Sequence, residues 1–260
     1  MLVLPVTVSI ILERSIKHIQ EDQFAYHGSH GYYFNNNQWG RDEGAGNQTL
    51  YVDRVEDTGV AWHVDWTWEG GENSVKSYPY SGREMPDEKR LVKDIGSIPT
   101  KVAWDYSGKN IRANVAYDLF TAADPNRDIS GGDYELMIWL GNLGNVHPIG
   151  SNKGGVKVAG RTWALFVGNN GNMKVYSFVA PDTVKSFDAN LMPFFDYITN
   201  HYDFPAGDQY LTTLQFGTEP FTGSNATFTT SNWEGHISNE AGEDYDDDDD
   251  GACCSACVVV

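Results

Sequence analysis

The feature that most constrains the fold of this chain is a series of short runs, rich in Val, Tyr, Trp, Thr and Ile, between residues 31 and 233. Clusters of Gly, Asn, Asp and Pro separate these runs, as in EGGEN at 69–73 and VGNNGN at 167–172. β-Branched and aromatic residues favour extended backbone, whereas the clusters favour turns. The pattern therefore predicts one all-β domain, a sandwich or jelly roll of two sheets, without a linker or repeat inside it.

Twelve runs are predicted to form strands. They are 32–34, 50–52, 61–68, 74–78, 102–106, 111–120, 134–140, 156–158, 161–167, 173–180, 210–217 and 227–230. The segment 188–200 instead carries apolar residues at helical spacing, and Pro193 falls where the first turns of a helix tolerate it. We expect one short helix there, capped by Asp188 and packed on the outside of the sandwich.

Two terminal segments are predicted to flank the domain, which spans residues 31–237. Residues 1–30 are predicted to be an N-terminal leader or extension. The apolar run 2–11 is about as long as a signal-peptide core, but no base precedes it and no small-residue cleavage site follows. It is too short to cross a bilayer, which takes roughly 20 residues. Residues 238–260 are predicted to be a disordered acidic tail, because like charges repel and no apolar period is present.

Charge and cysteine content narrow the class of ligand. The formal net charge is −18 and Lys and Arg form no cluster, whereas nucleic acids and anionic membranes attract basic surfaces. We therefore expect a neutral ligand, and neither nucleic acid nor a membrane. All three cysteines lie at 253–257, and neither their C-x-x-C pair nor His147 has the further ligands that zinc needs. No metal and no cofactor are expected.

Three acids are predicted to lie on strands among aromatic residues. Alternation along 134–140 puts Glu135, Met137 and Trp139 on one face and apolar core residues on the other. Alternation along the strand 111–120 puts Asp118 on one face with Asn114, Ala116 and Phe120, and puts Val115, Tyr117 and Leu119 on the other. Glu219 follows the strand 210–217. A carboxylate in a strand otherwise fit for burial is costly unless a cleft uses its charge.

Two carboxylates in a groove lined by aromatic rings meet the needs of glycosidic bond cleavage. One attacks or stabilises the anomeric carbon, and the other donates a proton to the leaving oxygen. Aromatic rings supply flat apolar surfaces on which sugars stack. A lectin on the same fold has similar acids and aromatics, so the pattern alone leaves enzyme and binding protein open.

The same residues carry a resemblance to a known family. The strings are NNNQWG (35–40), AYDLF (116–120), YELMIWL (134–140), HPIG (147–150), YSFVA (176–180) and FGTEPFTGSNATFT (216–229). In this order they resemble glycoside hydrolase family 12, the endo-β-1,4-glucanases and xyloglucan-specific endoglucanases. The resemblance implies a jelly roll of two antiparallel sheets, a concave face that binds a glucan chain, and hydrolysis with retained anomeric configuration.

The resemblance also implies roles for individual residues. Glu135 would be the nucleophile, Glu219 the general acid/base, and Asp118 a hydrogen-bond partner that orients Glu135. Retention asks for carboxyl groups about 5 to 5.5 Å apart. The residues expected to bind substrate are Trp39, Met137, Trp139, Asn37 and Phe221. The expected partner is a β-glucan polysaccharide, and the expected form is a secreted monomer with an irregular signal sequence.

Several alternatives stay open at this point. Xyloglucan and unbranched β-glucan are both credible substrates, because loops around the cleft decide which chains fit. A non-catalytic glycan-binding or host-recognised protein on the same fold is the main rival. The last four residues, CVVV, have the shape of a prenylation signal, and a lipid-anchored intracellular role is the third reading. Trp62, Trp66 and Trp68 alternate and could line either groove or core.

Overall fold

A computed structural model describes residues 18–85 and 89–241. Within these ranges it contains fourteen strands, one α-helix, α1 (Met192–Tyr202), and two short 3-10 helices, Arg41–Glu43 and Val92–Asp94. The strands are β1 His18–Gln20, β2 Tyr26–Ser29, β3 Tyr32–Asn35, β4 Ala45–Glu56, β5 Gly59–Glu69, β6 Tyr80–Arg83, β7 Pro99–Ala122, β8 Tyr134–Leu143, β9 Ser151–Val158, β10 Arg161–Asn170, β11 Met173–Val179, β12 Ser186–Asn190, β13 Tyr210–Leu211 and β14 Gln215–Gly235. The prediction of an all-β chain with one short helix is confirmed.

Two long strands, β7 and β14, organise the fold. The first half of β7 pairs with β12 and the second half of β14, and its second half pairs with β8 and the first half of β14. Register shifts between Pro220 and Thr227 bend β14 where the two halves meet. Hydrogen bonds therefore link the layers into one open sheet of order β1-β4-β5-β14-β7-β8-β11-β10-β9, with β2, β3 and β6 attached beside β14.

One strand pair departs from the predicted antiparallel pattern. β11 pairs with β8 in parallel, with Val175 opposite Glu135. A parallel neighbour needs a crossover of a dozen residues or more. The β9–β10 hairpin lies between the two strands in sequence and supplies that crossover.

The main hydrophobic core lies on the side of β7 and β8 that alternation predicts. It holds Val115, Tyr117 and Leu119 of β7 with Leu136 and Ile138 of β8. The alternation of these strands is therefore confirmed.

The three alternating tryptophans of β5 belong to this same core. Trp62, Trp66 and Trp68 are all buried. Trp62 Nε1 donates to Ser81 Oγ at 2.9 Å, and Trp66 Nε1 donates to the Tyr106 hydroxyl at 2.8 Å. The choice between groove and core is thus settled for these rings.

Four predicted strands differ from the observed ones. The segment 74–78 pairs with no strand, and β6 begins at Tyr80, two residues after that segment ends. The predicted strands 102–106 and 111–120 are one strand, because Gly108 and Asn110 adopt positive φ and let the chain continue through the intervening turn-like residues. The range 210–217 divides between β13 and β14.

The helix begins four residues later than its predicted cap. Asp188 lies in β12 opposite Lys101, and Asn190 Oδ1 accepts a hydrogen bond from the backbone N–H of Met192. The helix packs through Phe194, whose ring lies 5.2 Å from that of Trp163. The short polar side chain that helps to start the helix is therefore Asn190 rather than Asp188.

The predicted terminal segments are partly described. β1 and β2 fall within residues 1–30, yet they pair with β4 and β3, so the folded sheet reaches back to His18. At the other end, Ser238 bridges to Ser97. Residues 1–17, 86–88 and 242–260, including the apolar run and all three cysteines, lie outside the described residues. No helix in the described ranges is long and apolar enough to cross a membrane.

Candidate active site

A cleft of about 700 Å³ contains the three acids that the sequence singles out. Asp118, Glu135 and Glu219 all line it. The other lining residues are Phe24, Asn35, Asn37, Trp39, Tyr78, Tyr80, Phe120, Asp128, Ile129, Ser130, Asn170, Met173 and Gln215. The predicted grouping of acids and aromatic rings in one groove is what the structure contains.

The strand register explains how the acids meet. β7 lies between β8 and β14, with Asp118 directly opposite Met137 on one side and Gln215 on the other. Glu135 projects from β8 and Glu219 from β14. The two glutamates therefore approach the cleft from opposite sides of the strand that carries Asp118.

Burial dominates the electrostatics of these acids. Burial, together with nearby Glu219, raises the pKa of Glu135 to about 8. Burial raises the pKa of Glu219 to about 7, and a hydrogen bond from Asn114 opposes that rise. Burial, followed by the charges of Glu135 and Glu219, raises the pKa of Asp118 well above its usual value. Carboxyl groups that interact in a poorly solvated site titrate as a coupled set rather than one by one.

None of the three acids is neutralised by an ion pair with a described Lys or Arg. Asp118 Oδ1 is buried and has no hydrogen-bond partner. A buried carboxyl group that serves structure alone normally has its charge paired and its oxygens satisfied. The arrangement is therefore typical of a site where the charge is used chemically.

Asn114 fixes the position of Glu219. Its side-chain amide donates to Glu219 Oε2, and its Oδ1 accepts the backbone N–H of Glu219 at 2.8 Å. Sequence reasoning placed Asn114 on the same face of β7 as Asp118 but assigned it no role. Two hydrogen bonds from one amide hold both the backbone and the carboxyl group of this glutamate.

Lys76 is a second residue that supports the site and that the sequence analysis did not identify. Its side chain is fully buried, and its ammonium donates to the carbonyls of Gly71, Ser74 and Phe221 at 2.7, 2.7 and 3.1 Å. Its backbone N–H donates to the carbonyl of Pro220 at 2.9 Å. Lys76 thereby ties the segment 71–76 to β14 immediately after Glu219. Burial lowers the pKa of this lysine, because solvent no longer stabilises its charge.

The residues predicted to bind substrate fall into two groups. Trp39 and Asn37 line the cleft, and Trp39 is 55% exposed. Met137, Trp139 and Phe221 lie in a buried cluster with Ala116, Val146 and Val179, and they are not among the cleft-lining residues. This cluster packs beside the acids, and sugar contact by its members stays a prediction.

Four aromatic residues of the cleft were missed by sequence reasoning: Phe24, Tyr78, Tyr80 and Phe120. Tyr78 is buried, and the charges of Asp118 and Glu219 add to burial in raising the pKa of its hydroxyl well above the usual value. Phe24 is exposed and comes from the segment predicted to precede the domain. The signal for Tyr78 was its place among aromatic residues, but Phe24 has no local pattern that places it in a groove.

Comparisons with known proteins agree with this site and fold. The model of the family described as Glycosyl hydrolase family 12 matches residues 30–238. The chain is 43% identical over 239 residues to Endoglucanase A of Aspergillus kawachii, covering 90% of this chain and 99% of that one. It is 44% identical over 207 residues to Xyloglucan-specific endo-beta-1,4-glucanase A of Emericella nidulans, covering 78% and 84%.

Solved structures give the same result. Endoglucanase 3 of Trichoderma harzianum superimposes with a TM-score of 0.82 at 46% identity, covering 85% of this chain and 97% of that one. The catalytic domain of Humicola grisea Cel12A, in complex with a soaked thio cellotetraose, gives a TM-score of 0.82 at 42% identity, covering 85% and 99%. These likenesses confirm the predicted jelly roll. Because the family model matches residues 30–238 and Endoglucanase A is 43% identical over 90% of the chain, the chain belongs to glycosyl hydrolase family 12.

Proposed function

We propose that this protein is an endo-acting, retaining hydrolase of β-1,4-glucosidic bonds in plant cell-wall glucans. Relatives in its family are named endoglucanase and xyloglucan-specific endo-beta-1,4-glucanase. The observation that carries the proposal is a pair of acids, the buried Glu135 and the partly buried Glu219, which lie on strands that flank β7 and face one aromatic cleft. A retaining glycosidase needs two such carboxyl groups close together.

In the first step, the carboxylate of Glu135 attacks the anomeric carbon of the sugar bound in the cleft. Glu219 gives its proton to the departing glucosyl oxygen, so the glycosidic bond breaks as an ester bond to Glu135 forms. In the second step, Glu219, now a carboxylate, takes a proton from water. That water attacks the anomeric carbon, releases Glu135 and leaves the configuration unchanged.

Placement of the shared proton is central to this cycle. The raised pKa values of Glu135 and Glu219 mean that the pair holds a proton near neutral pH. A glucan chain brings its glucosidic oxygen to Glu219 and its anomeric carbon to Glu135. Bound substrate therefore favours the form in which Glu219 carries the proton and Glu135 the charge.

Asp118 supports that charge distribution. Burial and the charges of Glu135 and Glu219 raise its pKa, which favours the protonated form, and its unpaired Oδ1 is buried in the cleft. A protonated carboxyl group can donate a hydrogen bond to the Glu135 carboxylate, which stabilises the nucleophile without adding a second negative charge. Asp118 then holds Glu135 in its attacking orientation.

We further propose that the protein acts outside the cell as a monomer. A cell-wall polysaccharide is too large to enter a cell, so its hydrolase must be exported. The catalytic domain would comprise the predicted 31–237 region together with β1 and β2, which pair with it.

The test is reducing-sugar release from carboxymethylcellulose, mixed-linkage β-glucan and xyloglucan by the wild type and by Glu135→Gln. Glu69→Gln changes an exposed acid outside the cleft and is the matched control. We expect hydrolysis by the wild type and the control, and its loss in Glu135→Gln with an unchanged circular dichroism spectrum. A folded wild type that releases sugar from none of these glucans would contradict the proposal.

A further inference from the structure

A second cavity of about 480 Å³ adjoins the cleft. The two share Ile129 as a lining residue. The remaining residues of this second cavity are Tyr26, Gly31, Tyr33, Arg83, Glu84, Met85, Lys89 and Thr212. We call it the Tyr26 cavity. None of the proposed catalytic residues lines it, so the cycle described above leaves it without a role.

A series of tyrosine rings connects the catalytic acids to this cavity. Tyr78, which lies against the acids, stacks on Tyr80 with ring centroids 5.2 Å apart. Tyr80 meets Tyr33 edge to face at 5.8 Å, and Tyr33 stacks on Tyr26 at 5.7 Å. Aromatic side chains therefore extend without a break from the cleft to the Tyr26 cavity.

The exposure of Tyr26 sets it apart from the other rings of this series. Tyr78, Tyr80 and Tyr33 are buried, whereas Tyr26 is 53% exposed. The Tyr26 ring stacks on Tyr33 and still keeps about half of its surface exposed. Among the described aromatic side chains, those more than half exposed are Phe24, Tyr26 and Trp39, and all of them lie in the cleft or in the Tyr26 cavity. Exposed rings grouped along a groove indicate a binding surface.

The polar groups of the cavity match the hydroxyl groups of a sugar. Arg83 Nη1 is buried without a hydrogen-bond partner, so it is a donor in need of an acceptor. The guanidinium carbon of Arg83 lies 4.6 Å from the ring centroid of Tyr32, which holds this side chain in place. Glu84 adds an acceptor beside the Tyr26 hydroxyl, whose pKa is raised by partial burial and by that carboxylate. Arg83 can only donate and the Glu84 carboxylate can only accept, and a neutral hydroxyl group, which does both, can bond to both residues.

We propose that the Tyr26 cavity binds one pyranose ring of the substrate, stacked on Tyr26 and hydrogen-bonded to Arg83 and Glu84. The ring is either a further glucose of the main chain or a sugar that branches from it. This inference rests on the proposed function, because it assigns the cavity to the same glucan substrate.

The test compares Tyr26→Ala with the wild type on cellotetraose, cellohexaose and an oligosaccharide from xyloglucan. Tyr51→Ala, which removes a partly buried tyrosine on β4 outside both cavities, is the control. The exposed ring of Tyr26 can be removed without leaving a buried void. We expect kcat/KM to fall roughly fivefold to tenfold on at least one of the two larger substrates, the range that loss of one ring contact produces. Cellotetraose hydrolysis should be unchanged.

The pattern of loss identifies the source of the ring. A loss on cellohexaose assigns the cavity to the main chain, and a loss on the xyloglucan oligosaccharide alone assigns it to a branch. Unchanged rates on both, or an equal loss on cellotetraose, would overturn the inference.

Calorimetric binding separates this inference from the proposed function. The same oligosaccharides are titrated into Glu135→Gln, with and without Tyr26→Ala. Weaker binding of the larger substrates supports the Tyr26 cavity even if the wild type hydrolyses none of them, and equal binding contradicts it.

Discussion

The two faces of strand β7 differ in whether their buried polar groups have hydrogen-bond partners. On the core face, Tyr117 is fully buried and its hydroxyl is 2.9 Å from Thr100 Oγ1, so the polar atom is satisfied within the apolar layer. On the cleft face, Asn114 is hydrogen-bonded to Glu219. Asp118 follows Asn114 and Ala116 on this face, and its buried Oδ1 has no hydrogen-bond partner. The buried hydroxyl of the core face is thus hydrogen-bonded, whereas the buried carboxyl group of the cleft face has an oxygen without a partner.

This difference shows how one strand serves both stability and catalysis. The core face stabilises the folded state through apolar burial and satisfied hydrogen bonds. The cleft face holds three carboxyl groups whose pKa values are raised because solvent is excluded. Such a site lowers the free energy of unfolding in exchange for reactive groups. Substitutions on the two faces should therefore have opposite consequences for activity and stability.

The largest effect is expected from the cleft face. Glu135→Gln and Glu219→Gln should each lower kcat on β-glucan by about 10³-fold or more, because each removes a group that reacts in the cycle. Steady-state kinetics with Glu69→Gln as control would measure it. An aryl glycoside with an acidic leaving group should separate the two roles, since Glu219→Gln need not protonate it. Equal loss of bond cleavage in both variants on that substrate would contradict the assignment.

A substitution in the main core, to which the core face of β7 belongs, should change stability instead. Phe228 of β14 lies in this core, is fully buried, and its ring lies 5.4 Å from Trp62 and 5.3 Å from Tyr106. Phe228→Ala should lower the free energy of unfolding by about 3 to 5 kcal/mol, the usual result of a cavity left by a buried ring. Urea unfolding would measure it. A change below about 1 kcal/mol would show that the core repacks freely.

Lys76 ties the segment 71–76 to β14 next to Glu219, so its loss should affect both stability and activity. Lys76→Met removes the three hydrogen bonds to carbonyls and leaves those acceptors buried, at a cost of about 2 kcal/mol. Because one of these carbonyls belongs to Phe221, kcat should fall with little change in KM. Exposed Lys153→Met provides the control. A variant with wild-type kcat and reduced stability would show that Lys76 has a structural role only.

The pH dependence of the free energy of unfolding should reveal the cost of burying the Glu135 carboxylate. Glu135 has a pKa of about 8 in the fold against an ordinary value of 4.5. At pH values between these two, the native state therefore binds more protons than the unfolded state. The free energy of unfolding should therefore fall as pH rises from 5 to 8. Glu135→Gln should flatten that fall and be more stable at pH 8 by on the order of 1 kcal/mol. Parallel pH profiles for both proteins would contradict this.

The smallest effect is expected at the rim of the cleft. Trp39→Ala removes an exposed ring of the cleft that the family resemblance predicts to bind substrate. KM should rise several-fold, equivalent to about 1 kcal/mol, while thermal stability stays within about 0.5 kcal/mol of the wild type. A large loss of stability would place Trp39 in the fold rather than in the binding surface.

Much of this organisation could be predicted from the sequence because side chains alternate along strands. The period of two separated Glu135 from Leu136 and Asp118 from Tyr117 without knowledge of strand pairing. The family motifs then brought together acids on three separate strands. Alternation could not show that β8 and β11 are parallel, since strand order depends on tertiary pairing.

The groups that were missed depend on contacts distant in sequence. Lys76 is held by backbone carbonyls of Gly71, Ser74 and Phe221, and no side-chain pattern encodes acceptors of that kind. Phe24 reaches the cleft only because β2 pairs with β3. The helix start was displaced because Asp188 pairs within a strand. In each case tertiary contacts overrode the local sequence signal.

The most direct test of the central claim is to trap the covalent intermediate on Glu135. A 2-deoxy-2-fluoro-β-cellobiosyl fluoride slows both steps but keeps a good leaving group, so the glycosyl-enzyme ester accumulates. Intact mass and peptide mapping after this incubation should show one cellobiosyl unit, located at Glu135 and absent in Glu135→Gln. A label on Glu219 or Asp118, or no label from a preparation that hydrolyses β-glucan, would contradict the assignment of the nucleophile.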